Sequence, residues 1–289
     1  MSNSKSDDDK MLEEFLRIKF ESIRTVADPI LNATIQFFYD NSKGEEKLTG
    51  SGVLFEIDNR HFVFTAAHVI AENIEDVYFI VPFQAINCGG ILYNVSLPVS
   101  GNREEDKYDL GIIELDPLIA TTLKQHYQFL QLNDILIGHT VDEFTRYLAV
   151  GYPATRTQKR WGSNEMKSEP FVFNSKPVLN FEYDKFGFNF ESHLAIEFKG
   201  KVISENSYQP QSSAQLKGIS GSGMWYLPNF PEIDEVQTKK LIGITIEQIN
   251  KPNNQAIVVT RIDLITEFLR QHLGIKEVSE SKNIKINIR

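Results

Sequence analysis

The sequence predicts an all-β fold of the barrel type with one helix near each end. Many short hydrophobic runs, rich in β-branched and aromatic residues, are separated by polar turns along most of the 289 residues, without a strand–helix–strand rhythm. Apolar residues at helical spacing precede and follow this region. A chain of this length can bury a large core, as one large β domain or as two subdomains sharing a cleft.

The composition restricts the class of protein. The chain is 41% hydrophobic and 24% charged, which is typical of a folded globular protein. A net charge of −9 argues against a general nucleic-acid binder. The single cysteine, Cys88, excludes an intramolecular disulfide, and the first ten residues lack the apolar segment of a secretory signal. Because no apolar run is long enough to span a membrane, we expect a cytoplasmic protein without nucleic-acid or membrane partners.

The N-terminal elements begin with a polar stretch, residues 1–8, which we predict to be disordered. Leu12, Phe15 and Ile23 belong to an apolar series at helical spacing, which predicts a helix over about 9–27 that ends before Pro29, within an N-terminal helical segment bounded at 9–29. We interpret it as a packing helix that caps a barrel. A regulatory or partner-binding helix is the alternative.

Two β-rich halves follow, at 30–118 and 140–262, joined by a connector at 119–139. The predicted strands lie at 34–39, 51–57, 62–65, 77–82, 110–115, 147–153, 194–198, 223–226, 241–246 and 256–260, with a turn at 58–61. A C-terminal helix is predicted at 263–274, capped by Asp263 and closed by Gly274. Residues 275–289 form a predicted tail, in which alternating isoleucines also allow an added strand.

Three fragments bring a histidine, an aspartate and a serine, in that order, beside strand-like runs. They are TAAHV at 65–69, YDLGII at 108–113 and GISGSG at 218–223. A serine hydroxyl such as that of Ser220 needs a base, and the imidazole of His68 has a suitable pKa. The imidazole needs a carboxylate, here Asp109, to hold its tautomer and stabilise its protonated form. These residue types predict nucleophilic acyl transfer.

The small residues around Ser220 suit a second requirement of this chemistry. The attacked carbonyl becomes an oxyanion that needs fixed N–H donors, and the backbone N–H groups of Gly218 and Ser220 can converge on one point. Glycine at 218 allows the backbone angles of such a turn. Ser222 is the alternative serine, but neither serine has the flanking glycines of an α/β-hydrolase elbow.

Other residues compete for these roles less well. Asp106 lies near Asp109, but the apolar run after Asp109 favours Asp109 as the triad acid. Cys88 is interpreted as a loop thiol and not as a nucleophile, because Ser220 already fits that role. The other histidines are interpreted as surface or structural groups, and no Cys/His cluster has zinc spacing. They are His61, His126, His139, His193 and His272.

The three fragments resemble the motifs of the chymotrypsin-like (trypsin-fold) serine proteases, namely T-A-A-H, D-[IL]-A-[LV]-[LI] and G-x-S-G-[GS]. Their order and separations also fit, and the resemblance covers residues 30–270. It implies two antiparallel β-barrels, at 30–118 and 140–262, with the active site in the cleft between them. It further implies a serine endopeptidase that acts on a polypeptide substrate through an acyl-enzyme, with no metal and no cofactor.

The sequence also departs from the animal digestive members of that family. Ile219 stands where they have an activation aspartate, so we expect no N-terminal ion-pair activation; the pattern looks closer to the bacterial HtrA-type and glutamyl-endopeptidase-like members. Ala214 stands at the position of a trypsin-type specificity carboxylate. Ile246 would make the substrate pocket partly apolar, and Glu247 would either favour a basic substrate side chain or lie solvated at the rim. We therefore expect a small or medium apolar P1 residue.

The expected physiological role is that of a regulated bacterial protease. An active endopeptidase in cytoplasm would be harmful, so we expect control by a partner protein, a conformational switch or cleavage. Stand-alone proteases of this kind resemble effectors of bacterial stress or antiphage systems. The alternative is a latent enzyme or a pseudo-protease that binds a peptide without cutting it.

Overall fold

Two curled antiparallel sheets and a helix at each end make up the chain, which confirms the predicted fold class. This architecture comes from a computed structural model that describes residues 7–70, 74–82, 84–96, 102, 105–159, 166–199, 201–203, 210–212, 216–228, 230, 238–251 and 254–281. Each sheet forms a half-barrel whose inner face is apolar. The functional residues predicted from the sequence lie where the two half-barrels meet.

The first sheet contains seven strands in the order β5-β4-β1-β2-β3-β7-β6. They are β1 (Thr34–Asp40), β2 (Glu46–Ile57), β3 (Arg60–Ala66), β4 (Tyr78–Val81), β5 (Gln84–Asn87), β6 (Gly90–Asn94) and β7 (Leu110–Leu115). The tight turn between β2 and β3 places Asp58 and Asn59 at φ angles of 52° and 56°. Aspartate and asparagine tolerate these left-handed angles, which a two-residue hairpin requires.

The second sheet contains six strands in the order β11-β8-β15-β16-β17-β12. They are β8 (Tyr147–Gly151), β11 (Phe171–Ser175), β12 (His193–Glu197), β15 (Gly223–Tyr226), β16 (Lys240–Lys251) and β17 (Asn254–Arg261). Two short hairpins lie outside the sheets, formed by β9 (Thr157–Lys159) with β10 (Met166–Ser168), and by β13 (Lys201–Ile203) with β14 (Pro210–Ser212).

The N-terminal helix α1 (Asp7–Leu31) begins before the predicted start and continues through Pro29. Proline removes one helical hydrogen bond and normally ends a helix. Here burial on the last two turns outweighs that loss, since Val26, Ala27 and Ile30 are all buried. The predicted end at Pro29 is therefore wrong. Of the predicted disordered stretch, residues 7 and 8 are helical and residues 1–6 lie outside the described part of the chain.

Two further helices depart from the sequence-based expectation. The connector contains a short helix, α2 (Pro117–Leu123), which begins with proline at a position that needs no N–H donor. The C-terminal helix α3 (Ile262–Gln271) begins one residue before Asp263, so the predicted cap is wrong. Asp263 is buried and accepts hydrogen bonds from Gly138 N and Ser281 Oγ, both at 2.8 Å. Its carboxylate thus fastens neighbouring segments to the helix.

The terminal helices and both sheets share one buried apolar cluster. It includes Ile30 of α1, Phe64 of β3, Trp225 of β15 and Ile265 of α3. The described part of the predicted tail, 275–281, also packs there through Ile275 and Val278, and the alternating isoleucines after it lie outside the described residues. The helices therefore bind the two half-barrels together from outside the cleft.

Candidate active site

Strand register brings His68 and Asp109 together. Strands β3 and β7 are antiparallel partners, with Ala66 opposite Leu110. A 3₁₀ turn at Ala67–Val69 follows β3, so His68 lies beside Asp109, the residue that precedes β7. The backbone N–H of Ala67 donates to the Asp109 carbonyl at 2.9 Å, so the hydrogen-bond pattern between β3 and β7 continues up to these two residues.

The Asp109 carboxylate contacts His68 with both oxygens. Oδ1 accepts from the His68 backbone N–H at 3.0 Å, and Oδ2 lies 2.5 Å from Nδ1. A carboxylate in this position makes Nδ1 the protonated nitrogen and leaves Nε2 available to accept a proton. The two contacts fix both the rotation and the tautomer of the ring.

Asp109 adopts an unusual backbone conformation, with φ at 46°. A left-handed non-glycine residue is strained by about 1 kcal/mol or more and persists where its surroundings hold it. One support is Asp106, whose Oδ1 accepts from the Asp109 backbone N–H at 3.2 Å and from Ser96 Oγ. Asp106, the competing acid, thus supports the loop, and Asp109 is the carboxylate bonded to the histidine.

Opposing effects set the protonation of His68. Burial disfavours the charged ring, but the hydrogen bond and negative charge of Asp109, together with Glu247, outweigh it and raise the pKa of His68 above its ordinary value. The side chain is 47% exposed, so it remains reachable from the cleft.

The loop carrying Ser220 is fastened to both half-barrels. The Ser220 carbonyl accepts from Ser51 N of β2, and Gly221 N donates to Thr245 O of β16, both at 2.8 Å. Gly221 has φ at 85°, and a Cβ there would lie 1.9 Å from the Ser51 carbonyl oxygen. Only glycine permits this close approach. Ile219 is fully buried in the second barrel, so apolar packing anchors the loop next to Ser220.

The Ser220 hydroxyl faces the same cleft as the histidine. His68, Asp109 and Ser220 all line a cavity of about 450 Å³. Ser220 Oγ donates to the Ile246 carbonyl at 3.4 Å, and no hydrogen bond joins it to His68 within the described residues. Such contacts are often long in a protein without substrate and tighten on binding.

The peptide group that precedes Gly218 is held in one orientation. The Lys217 carbonyl accepts from Ala154 N at 2.7 Å. Because the peptide is trans, the Gly218 N–H points in the opposite direction. Within the described residues, the N–H groups of Gly218 and Ser220 donate to no acceptor. A Cβ at Gly218, where φ is 95°, would lie 2.6 Å from Ala154 N.

The remaining lining residues give the cleft a mixed character. Ile246 and Glu247 line it, whereas Ala214 lies outside the described residues. Lining residues that sequence reasoning missed include Lys107, Phe188 and Lys217. Lys217 could have been found, because it directly precedes Gly218. Lys107 and Phe188 carry no motif, and they meet only through the fold, with the ammonium 5.7 Å from the ring centroid.

The single cysteine is remote from this chemistry. Cys88 is 1% exposed and packs in the apolar core of the first barrel, with Val77 and Phe79. Burial raises the pKa of its thiol. A buried, protonated thiol of this kind is unreactive as a nucleophile.

Two half-barrels with a cleft between them define the chymotrypsin-like fold, and the comparison with solved structures agrees. The crystal structure of scabies mite inactivated protease paralogue S-I1 matches with a TM-score of 0.53 and 15% identity, covering 88% of this chain and 98% of that one. At this identity the likeness establishes the fold. No protein-family model and no curated protein matches the sequence. Among the described residues, no helix is both long and apolar enough to cross a membrane.

Proposed function

We propose that this chain is a serine endopeptidase with Ser220 as nucleophile, His68 as base and Asp109 as orienting acid. The observation that carries the proposal is the two-point contact of Asp109 with His68, in the same cavity as Ser220. The uncommitted N–H groups of Gly218 and Ser220 support it.

The reaction follows from these groups. His68 Nε2 takes the Ser220 proton while Oγ attacks the substrate carbonyl, and Asp109 stabilises the imidazolium. The oxyanion lies against the N–H groups of Gly218 and Ser220. The tetrahedral intermediate expels the amine, which takes the proton from His68, and leaves an acyl ester on Ser220. Water, deprotonated by His68, then attacks the ester. The second tetrahedral intermediate expels Ser220 Oγ, which takes the proton back from His68, and the acid is released.

Labelling with a fluorophosphonate probe tests this proposal. We expect a covalent adduct on the wild-type protein and none on Ser220→Ala. Ser222→Ala is the matched control, because Ser222 is buried two residues away and should leave labelling unchanged. Absence of a Ser220-dependent adduct under every activating condition would refute the proposal.

A latent enzyme or pseudo-protease that binds a peptide is the second candidate. It is favoured by the missing Ser220–His68 hydrogen bond, and the structural match is itself named an inactivated paralogue. The two candidates differ in product formation. A latent or inactive protein would bind peptides equally well as wild type and Ser220→Ala, and would release no fragments from either.

Specificity and control belong to the same proposal. Ile246 supports a small or medium apolar P1 residue, and a peptide-library profile without that preference would exclude it.

We further propose a cytoplasmic, bacterial protease of the HtrA-like or glutamyl-endopeptidase-like branch that a partner protein activates, in a stress or antiphage role. The isolated chain should then label slowly, and labelling should rise when host extract is added. Full labelling of the isolated chain would contradict this control.

A further inference from the structure

Two buried side chains of the second barrel reach the segment that carries Asp109. His193 begins β12, and Thr260 lies opposite it near the end of β17. Because they are directly paired in antiparallel strands, their side chains lie on the same face of the sheet. The exposed fractions are 1% for His193 and 0% for Thr260.

Both side chains contact backbone carbonyls immediately before Asp109. His193 Nε2 lies 2.8 Å from the Lys107 carbonyl, and Thr260 Oγ1 donates to the Tyr108 carbonyl at 2.7 Å. Two consecutive peptide groups of the acid-bearing segment are thus held from across the cleft.

Both ring nitrogens of His193 lie near a backbone carbonyl, Nε2 at 2.8 Å from that of Lys107 and Nδ1 at 3.0 Å from that of Asn189. Ser192 Oγ, 2.9 Å from Nδ1, can donate to that nitrogen, so a neutral ring with its proton on Nε2 has a partner at each nitrogen. Burial lowers the pKa of His193 and favours this neutral form. The ring stacks on Tyr108 at a centroid distance of 5.8 Å and packs against Phe188 at 5.0 Å, so it has little freedom to turn.

Asp109 needs such support. Its left-handed backbone, with φ at 46°, must be held by neighbouring groups. We propose that His193 and Thr260 are positioning residues that hold the Asp109 carboxylate in its two-point contact with His68. This inference rests on the proposed function of the site. It means that residues of the second barrel orient Asp109, which belongs to the first barrel.

Three variants test the inference. His193→Phe keeps the packed ring but removes the donor, His193→Gln restores an N–H donor, and Thr260→Val removes only the hydroxyl. His126→Phe, at an exposed histidine, is the control. Circular dichroism and thermal unfolding establish which variants are folded.

The first readout is nuclear magnetic resonance of His68, which needs no catalysis. We expect the downfield resonance of the Nδ1 proton to weaken, and the pKa of His68 to move back toward its ordinary value, in His193→Phe and Thr260→Val. His193→Gln should retain most of both signals, and His126→Phe should not differ from wild type. The second readout is the fluorophosphonate labelling rate, expected to fall by about 10- to 100-fold in His193→Phe.

Two outcomes would overturn the inference. One is a folded His193→Phe with the wild-type His68 resonance and pKa. The other, should His193→Phe fail to fold, is a Thr260→Val protein whose His68 resonance and pKa are unchanged. If wild type never labels, the proposed function fails, but the His68 resonance still decides whether these residues position Asp109.

Discussion

At the residue scale, the Asp109–His68 pair determines what the cleft can do. Nδ1 is occupied by the carboxylate, so in the proposed reaction the proton transfer with Ser220 falls to Nε2. The proposed base would act only when the ring is neutral, which makes the pKa of His68 the quantity that sets the expected working pH range.

The pH dependence of labelling should follow His68. Its pKa is raised by Asp109 and Glu247, so the labelling rate should rise with pH around a midpoint above the ordinary histidine value of about 6.5. Glu247→Gln removes one source of negative charge and should lower the midpoint. The measurement is a pH–rate profile, with Glu143→Gln, an exposed acid outside the cleft, as control. An unchanged midpoint in Glu247→Gln would contradict this account.

Gly221 should tolerate no side chain. Its φ is 85°, and a Cβ would overlap the Ser51 carbonyl and Thr65 Oγ1, at 1.9 and 2.2 Å. We expect Gly221→Ala to lower the free energy of unfolding by at least about 2 kcal/mol, through strain and overpacking. Gly44→Ala is the control, since φ there is 70° but no atom lies within 4 Å of the added Cβ. Urea unfolding of both variants measures the difference, and equal losses would show that the close approach is unimportant.

At the element scale, α1 divides into an anchored half and an exposed half. Ile30 is fully buried against both barrels, whereas Leu12 is 57% exposed. The helix therefore owes its position to its C-terminal part, from Ile23 onward, where burial also carries it past Pro29.

Truncation of the anchor should be costly. Ile30→Ala should lower the free energy of unfolding by about 2–5 kcal/mol, because it removes buried methylene groups and leaves a cavity. Leu12→Ala should change it by about 0.5 kcal/mol or less. Chemical denaturation gives both values, and a small effect at Ile30 would mean that α1 is not part of the folded core.

Sequence reasoning succeeded where the signal is local. Most strands show as β-branched runs between turns. The short runs around His68, Asp109 and Ser220 are equally local, and the fold brings these three residues to one cavity. It failed where distant residues decide. His193 and Lys107 are 86 positions apart in the sequence, and Thr260 and Tyr108 are 152 positions apart. No local sequence pattern can therefore predict these contacts. The passage of α1 through Pro29 likewise depends on tertiary burial.

At the scale of the whole molecule, the connector is joined to the second barrel through a buried polar group. His139 is 8% exposed, its Nε2 lies 2.9 Å from Tyr147 Oη, and its carbonyl accepts from Arg261 Nη1 at 2.8 Å. Burial, with the nearby charge of Arg261, lowers the pKa of His139 to about 4.

This group should make the fold sensitive to acid. Above about pH 6.5 both folded and unfolded chains carry a neutral ring, but between about 6.5 and 4 only the unfolded chain takes up the proton. Stability should therefore fall over that window, by up to about 3 kcal/mol from this residue. Urea unfolding at pH 7 and 4.5 tests it, because His139→Phe should lose less stability between the two pH values than wild type. An equal loss in both would exclude His139 as the cause.

The burial of Cys88 has a practical consequence. The only thiol in the sequence is sealed in the first barrel, so an alkylating reagent reaches it only in molecules whose first barrel has opened. When reclosing outpaces alkylation, the modification rate reports the population of the open state. The alkylation rate of Cys88 therefore measures local opening of the barrel that carries His68 and Asp109. No engineered cysteine is needed for this measurement.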